Sequence, residues 1–156
     1  MAFLDDFATA VSDYPLNSVI LSIVDLVVQP PGTAGAVNVN EVWAFQVRVA
    51  NNGHLNMTGV SLHVEGQNGA QVGLAATGPW SASIYSGALA ALAVNAHGTQ
   101  DTVNLFFKAP NVAKPLGTPL VRAHIIIWDA NLDHLLNGHS GHANLPAGTY
   151  SAQVSP

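Results

Sequence analysis

The residues best suited to chemistry lie in a polar cluster at 128–142, WDANLDHLLNGHSGH. Three oxygen-bearing side chains in it have the D-x-N-x-D spacing that opens a calcium loop, in which alternate positions converge on one cation: Asp129, Asn131 and Asp133. The sixth position of such a loop is His134 instead of glycine, and the twelfth is Ser140 instead of the bidentate glutamate. Asp and Asn are also common turn residues. We therefore expect a hairpin turn here, with calcium binding as the alternative.

The same cluster contains a second candidate set, the histidines. His139 and His142 are spaced as a ligand pair, and neutral imidazoles bind zinc and copper well. No HExxH motif accompanies them, and a charge-poor protein also uses histidine as a neutral polar surface residue. The other histidines are scattered, and His63 and His124 fall on the alternate face of predicted strands, at the surface or at an interface. A metal site at 139 and 142 is therefore an alternative to a surface role.

Enzyme signatures are absent from the sequence. There is no G-x-S-x-G elbow for a serine nucleophile, no cysteine, and no glycine-rich phosphate loop between a strand and a helix. The two glutamates, Glu41 and Glu65, stand near strand ends and form no obvious acid pair of the kind that glycosidases use. We expect no enzymatic activity and no cofactor, apart from calcium in the alternative above.

Two aromatic residues stand close together in a predicted loop, Trp80 and Tyr85. Aromatic rings on a loop can stack on sugars, which would make this segment a glycan-binding site. Large aromatic rings also fill the space between packed sheets. We expect the two rings to be buried as a plug between the sheets, and glycan binding is the alternative.

The composition excludes two classes of partner. Charged residues make up 8% of the chain, against about 25% in average domains, and the net charge is −5 with four Lys and Arg residues. A nucleic-acid binder needs a basic surface to neutralise phosphates, and binding to anionic membranes has the same requirement. No stretch approaches the roughly 18 apolar residues of a membrane-spanning helix. The first 15 residues lack the positive start and apolar core of a secretory signal.

The elements that must position these residues are predominantly strands. Phe3, Leu4 and Phe7 recur at helical spacing and predict one short amphipathic helix over 1–14. From residue 15 onward the period changes to two, with turns rich in Gly, Pro and Asn between the runs. Strands are predicted at 18–28, 43–49, 60–65, 72–76, 101–108, 120–129 and 148–154, with a loop and a short strand within 78–98. The expected fold is all-β, one antiparallel β-sandwich of about seven to eight strands over 15–156.

The segment 18–66 carries a family resemblance. Its run VRVANNGHLNMTGVSLHVEG places Val49-Ala50-Asn51-Asn52-Gly53 at a V-x-N-x-G position, followed by Thr58-Gly59-Val60. This pattern resembles bacterial Ig-like modules of the cell-adhesion-related (CARDB-like) kind, and the segment from residue 125 onward is similar to their closing hairpin. The resemblance implies an Ig-like sandwich and a non-catalytic building block of surface, adhesive or particle-forming proteins.

The expected function is a structural or interaction module that self-associates. The mean hydropathy is +0.29, which is high for a small domain and indicates that neighbours cover some apolar surface. Candidate contacts are the edge strands and the helix bearing Phe3, Leu4 and Phe7. The partner is then a second copy or another protein, at an extracellular, cell-surface or particle-associated location. The alternative is a sandwich that binds a glycan or a calcium-dependent ligand.

Overall fold

The structure is a computed structural model. It describes residues 21–29, 36–54, 56–84, 90–132, 136–142 and 147–156, and it describes their side chains except at 29 and 127–142. The described residues contain twelve β-strands. The strands are β1 Leu21–Gln29, β2 Ala36–Asn38, β3 Val42–Asn51, β4 Asn56–Gly66, β5 Gln71–Gly73, β6 Ser83–Ile84, β7 Leu92–Val94, β8 Thr99–Asp101, β9 Leu105–Lys108, β10 Lys114–Leu132, β11 Leu136–His142 and β12 Gly148–Ser155. These residues include no helix, and therefore none that is long and apolar enough to cross a membrane.

The strands form two sheets. The first has the order β1-β3-β9-β5, with β8 also pairing with β3. The second has the order β2-β12-β10-β4-β6, with β11 on β10 and β7 on β4. All pairs are antiparallel except β2 with β12. The predicted all-β architecture with two largely antiparallel sheets is confirmed.

The core lies between the sheets and follows from alternation along β3 and β4. On β3 every second side chain is buried, beginning at Trp43, and on β4 Val60, Leu62 and Val64 are buried in the same way. Phe107 of β9 is fully buried, 6.0 Å from the Phe45 ring and 5.7 Å from the Tyr150 ring on the opposite sheet, measured between ring centroids. These rings join the two layers.

The predicted strand number was wrong, for two physical reasons. Strands β2, β6 and β8 have two or three residues, too few to show a period of two. The strand predicted at 101–108 is divided because Thr102 pairs out of register: its N–H donates to the Val47 carbonyl, and its Oγ1 accepts from the Val47 N–H, both at 3.0 Å.

The start of the strand predicted at 120–129 was also wrong, because β10 begins at Lys114 and has 19 residues. The additional stretch contains Pro115 and Pro119, although proline cannot donate to a ladder. Both lie beside register shifts of β10 against β12, between Lys114 and Thr118 and between Pro119 and Val121. Bulges of this kind accommodate residues that cannot join the ladder.

The predicted N-terminal helix over 1–14, with Phe3, Leu4 and Phe7, lies outside the described residues and stays a prediction. The division into this helix and one domain over 15–156 likewise stays a prediction. The described strands do define two ends of the sandwich. The β3–β4 connection and the β7–β8 turn lie at one end, and the β2–β3 turn, the β4–β5 loop and the β9–β10 connection lie at the other.

Candidate functional site

The predicted calcium and histidine ligands occupy the long hairpin of β10 and β11. The backbones of Asp129 and Asn131 pair with Thr58 and Asn56 in extended strand, and His139 and His142 lie in β11. A calcium loop needs a curled backbone, whereas two of its three predicted positions lie within strand β10. Asp133 and all the side chains of this hairpin beyond residue 126 lie outside what the structure describes, so both metal sites stay predictions.

Trp80 lies in the connection that leads from β5 in one sheet to β6 in the other. It is half-buried, and its ring packs against the backbone of Gly73 and Gly78, where a Cβ would come within 3.2 Å and 3.0 Å of ring atoms. The expectation of a ring buried between the sheets was therefore wrong for Trp80, which is only half-buried and packs on glycine backbone. Tyr85 lies outside the described residues, and the glycan alternative stays a prediction.

A polar network crosses the outer face of the second sheet. His63 on β4 stands directly opposite His124 on β10, with ring centroids 4.9 Å apart and ring planes at 80°. Two residue pairs further along, on the same face of the sheet, Arg122 Nη1 donates to Glu65 Oε1 at 3.0 Å and to His124 Nδ1 at 3.3 Å. His124 is only 7% exposed, so the solvent-facing position predicted for it was wrong, and the alternative, a position at an interface, stays a prediction.

Arg122 sets the protonation of this network. Burial lowers the pKa of His124, and the charges of Arg122 and His63 lower it further against a smaller opposing effect of Glu65. Since a guanidinium can only donate, His124 Nδ1 accepts, and the proton of the neutral ring sits on Nε2. Burial would raise the pKa of Glu65, but the hydrogen bond and charge of Arg122 hold it below its usual range. Arg122 Nη1 and His124 Nδ1 are thus engaged with each other and with Glu65 on this face of the sheet.

The polar turn Asn51-Asn52-Gly53 joins two loops at one end of the sandwich. Asn51 is fully buried, its Nδ2 donates to the Val94 carbonyl at 3.1 Å, and its Oδ1 accepts from the Gly53 N–H at 3.0 Å. Its backbone N–H donates to the Gly98 carbonyl at 2.9 Å, and the His97 N–H donates to the Gly53 carbonyl at 3.2 Å. The β3–β4 connection and the β7–β8 turn are thereby fixed to each other.

A pair of exposed histidines stands on these joined turns. His97 Nε2 lies 3.1 Å from His54 Nδ1, with ring centroids 4.7 Å apart and ring planes at 79°. Asn56 Oδ1 accepts from the Ala96 N–H at 2.9 Å, which holds the His97 turn from its other side. His97 has a φ of +59°, a conformation that few residues other than glycine adopt and for which His, Asn and Asp are enriched. The turns thus bring two imidazole nitrogens together on a rigid base.

Sequence reasoning missed this pair. His54 and His97 are far apart in the chain, and alternation identifies faces without identifying neighbouring strands. The available signal was that each histidine adjoins turn residues, in Asn52-Gly53-His54 and His97-Gly98. That signal places both histidines in turns and does not bring the turns together.

An exposed apolar segment lies at the opposite end of the sandwich. Residues 111–118, here called the apolar bulge, lead from β9 into β10, and their side chains Val112 and Leu116 are 58% and 77% exposed. Lys114 pairs with Val154 and Thr118 with Ala152, so three residues of β10 stand opposite one residue of β12. The extra residues project Leu116 away from the sheet.

Hydrogen bonds at its base keep the apolar bulge in one shape. Thr118 Oγ1 donates to the Pro115 carbonyl at 2.7 Å, and Asn68 Nδ2 donates to the Pro119 carbonyl at 2.6 Å. Gly117 has a φ of +84° and supplies the left-handed residue that the bend requires. Beside the bulge is a shallow polar depression of about 250 Å³, lined by Asn40, Gly69, Gln71, Lys108, Ala109 and Asn111.

Comparison with known proteins gives only weak similarity to solved structures. No protein-family model and no curated protein matches the chain. A cycloisomaltooligosaccharide glucanotransferase from Paenibacillus sp. is similar over 86% of this chain and 14% of its own, with 10% identity and a TM-score of 0.40. The alkylpurine DNA glycosylase AlkC of Pseudomonas fluorescens is similar over 95% and 38%, with 11% identity and a TM-score of 0.39. The sporulation control protein Spo0M of Bacillus subtilis is similar over 88% and 50%, with 10% identity and a TM-score of 0.40. The chain spans half or less of each of these proteins, and none of them bears on its function.

Proposed function

We propose that this protein is a non-catalytic structural or interaction module, an Ig-like sandwich whose copies associate with one another in a surface, adhesive or particle-like assembly. The observation that carries the proposal is the apolar bulge, which presents Leu116 at 77% exposure. An aliphatic side chain with this exposure buries little apolar surface in its own fold. It gains free energy only when a partner covers it.

The rigidity of the bulge supports a binding role. A flexible loop loses conformational entropy when it docks, whereas a segment already held in one shape avoids most of that cost. Proline at 115 and 119, the Thr118 hydrogen bond and the Asn68 hydrogen bond all restrict the backbone on either side of Leu116. Leu116 and Val112, which are the exposed apolar side chains of this segment, are the contacts that we propose.

The composition favours a second copy as the partner. With 8% charged residues, two copies bring together surfaces that have little charge to desolvate, which removes a cost that opposes association. Apolar side chains on one protomer also find similar apolar side chains on an identical partner across a two-fold axis. Edge strand β1, which pairs with β3 alone among the described strands, offers a further contact by strand addition.

The proposal is tested by the solution mass of the full chain and two matched variants. Light scattering after size exclusion should give a multimer for the wild-type protein and a smaller species for Leu116→Ser. Leu74→Ser is the control, because Leu74 is also exposed, at 46%, but lies on the loop after β5. Circular dichroism should show all three proteins folded.

Two results would count against the proposal. A wild-type monomer at every concentration would refute self-association. A wild-type multimer that both substitutions leave unchanged would refute the bulge as the contact. In that second case, deletion of residues 1–14 would test the predicted helix as the contact.

A further inference from the structure

We infer that His54 and His97 form a two-nitrogen binding site for a divalent transition metal, with zinc, copper and nickel as the ions it would hold. The site is separate from the apolar bulge, because the two lie at opposite ends of the sandwich. It does not depend on self-association.

The distance between the two nitrogens is the first argument. Two ligand nitrogens at about 2.0–2.1 Å from one zinc ion stand roughly 2.9–3.4 Å apart for angles at the metal between 90° and tetrahedral. His54 Nδ1 and His97 Nε2 are 3.1 Å apart, within that interval. An ion can therefore be chelated without separating the two turns.

The tautomers of the two rings allow the hydrogen bond between the histidines to be replaced by two bonds to a metal ion. In the metal-free pair, one nitrogen donates its proton to the other, because a neutral imidazole carries one N–H and one lone pair. When the metal binds, that proton moves to the far nitrogen of its own ring, and both facing nitrogens coordinate through their lone pairs. Both rings stay neutral, and a rotation about the broad χ2 torsion aims the lone pairs at the ion.

The rigidity of the supporting turns is the second argument. Backbone hydrogen bonds join His97 to Gly53 and Asn51 to Gly98, and the Asn56 side chain accepts a hydrogen bond from the Ala96 N–H. A site whose ligands are fixed before binding avoids the entropy cost of bringing them together. His97 occupies a left-handed conformation in which glycine or asparagine would be less strained. Strain of this kind is characteristic of functional positions.

The second described histidine pair lacks the same capacity. His63 and His124 also contact each other, but Arg122 donates to His124 Nδ1, and that nitrogen is occupied. Among the residues whose side chains are described, no group of three or more His, Cys, Asp or Glu converges on one point. The residues whose side chains are described therefore supply two ligands to this site, His54 and His97.

The test is calorimetric titration of the full chain with zinc chloride at fixed pH, repeated with His54→Asn, His97→Asn and His63→Asn. Asparagine is chosen because it tolerates the backbone conformation at position 97. The His54 and His97 variants should each weaken zinc binding by about tenfold or more, since loss of even an outer partner of a metal ligand has an effect of that size. The His63 variant should bind as the wild-type protein does.

Nitrogen-15 spectra of the histidine rings supply a readout that does not depend on affinity. Saturating zinc should shift the His54 Nδ1 and His97 Nε2 resonances and leave those of His63 unchanged. Zinc affinity that is the same in all four proteins would overturn the inference, and would direct attention to His139 and His142. Binding that is lost equally in all three variants would also overturn it, because the effect would not be specific to the pair.

Discussion

Replacing Asn51 with alanine should destabilise this protein far more than the same change at its neighbour. Asn51 is fully buried and uses both ends of its amide, whereas Asn52 is exposed. Alanine leaves the buried Gly53 N–H without its side-chain acceptor, at a cost of about 1–3 kcal/mol. It also removes the hydrogen bond to the Val94 carbonyl, a net loss of about 0.5–1.5 kcal/mol. The two losses together reduce the free energy of unfolding by about 2–4 kcal/mol.

Equilibrium unfolding in urea measures this difference directly. Asn51→Ala should lower the midpoint with an unchanged slope, and Asn52→Ala should stay within about 0.5 kcal/mol of the wild-type protein, as most surface substitutions do. The melting temperature should fall by at least about 4 °C, since 1 kcal/mol corresponds to about 2–4 °C in a protein of this size. Equal stability of the Asn51 and Asn52 variants would refute the reasoning that the Asn51 amide joins the two turns.

Three further predictions concern the core, the histidine network and one glycine. Phe107→Ala should cost about 3–5 kcal/mol in urea unfolding, and Phe106→Ala on the half-buried face of the same strand should cost much less; similar costs would contradict the assignment of Phe107 to the core. Because the folded protein holds the pKa of His124 below its ordinary value of 6.5, the unfolded chain binds more protons, so stability should be complete above about pH 6.5 and decline as pH falls toward the lowered pKa. His124→Gln should flatten that part of the thermal stability profile, and an unaltered slope would show that another group causes it. Gly66→Ala should destabilise strongly, because its Cβ would meet the backbone carbonyl of Ala70, and a variant with wild-type melting temperature would contradict this close packing.

The sequence predicted the centre of the sandwich because its central strands are long and have one buried face. In β3 and β4 the apolar residues that alternate in the sequence, from Trp43 in β3 to Val64 in β4, are the residues buried in the core. The short edge strands have no comparable signal. The start of β10 could not be predicted because it contains Pro115 and Pro119, which ordinarily interrupt a strand. The register shifts that accommodate the two prolines depend on the pairing with β12 and not on local sequence.

The candidate sites were less predictable than the fold. Leu116 stands between prolines in a segment without periodicity, so nothing in the sequence indicates that it is exposed. The His54–His97 contact depends on hydrogen bonds between two turns that are separated along the chain by four strands, β4 to β7. Asn51 is the last residue of β3, and its burial and its bond to Val94 follow from tertiary packing alone.

The central claim, that copies of this chain associate with one another, is tested most directly by sedimentation velocity of the full wild-type chain across a wide concentration range. Self-association predicts a species heavier than 16.2 kDa whose fraction rises with concentration. A single species at the monomer mass throughout that range would contradict it.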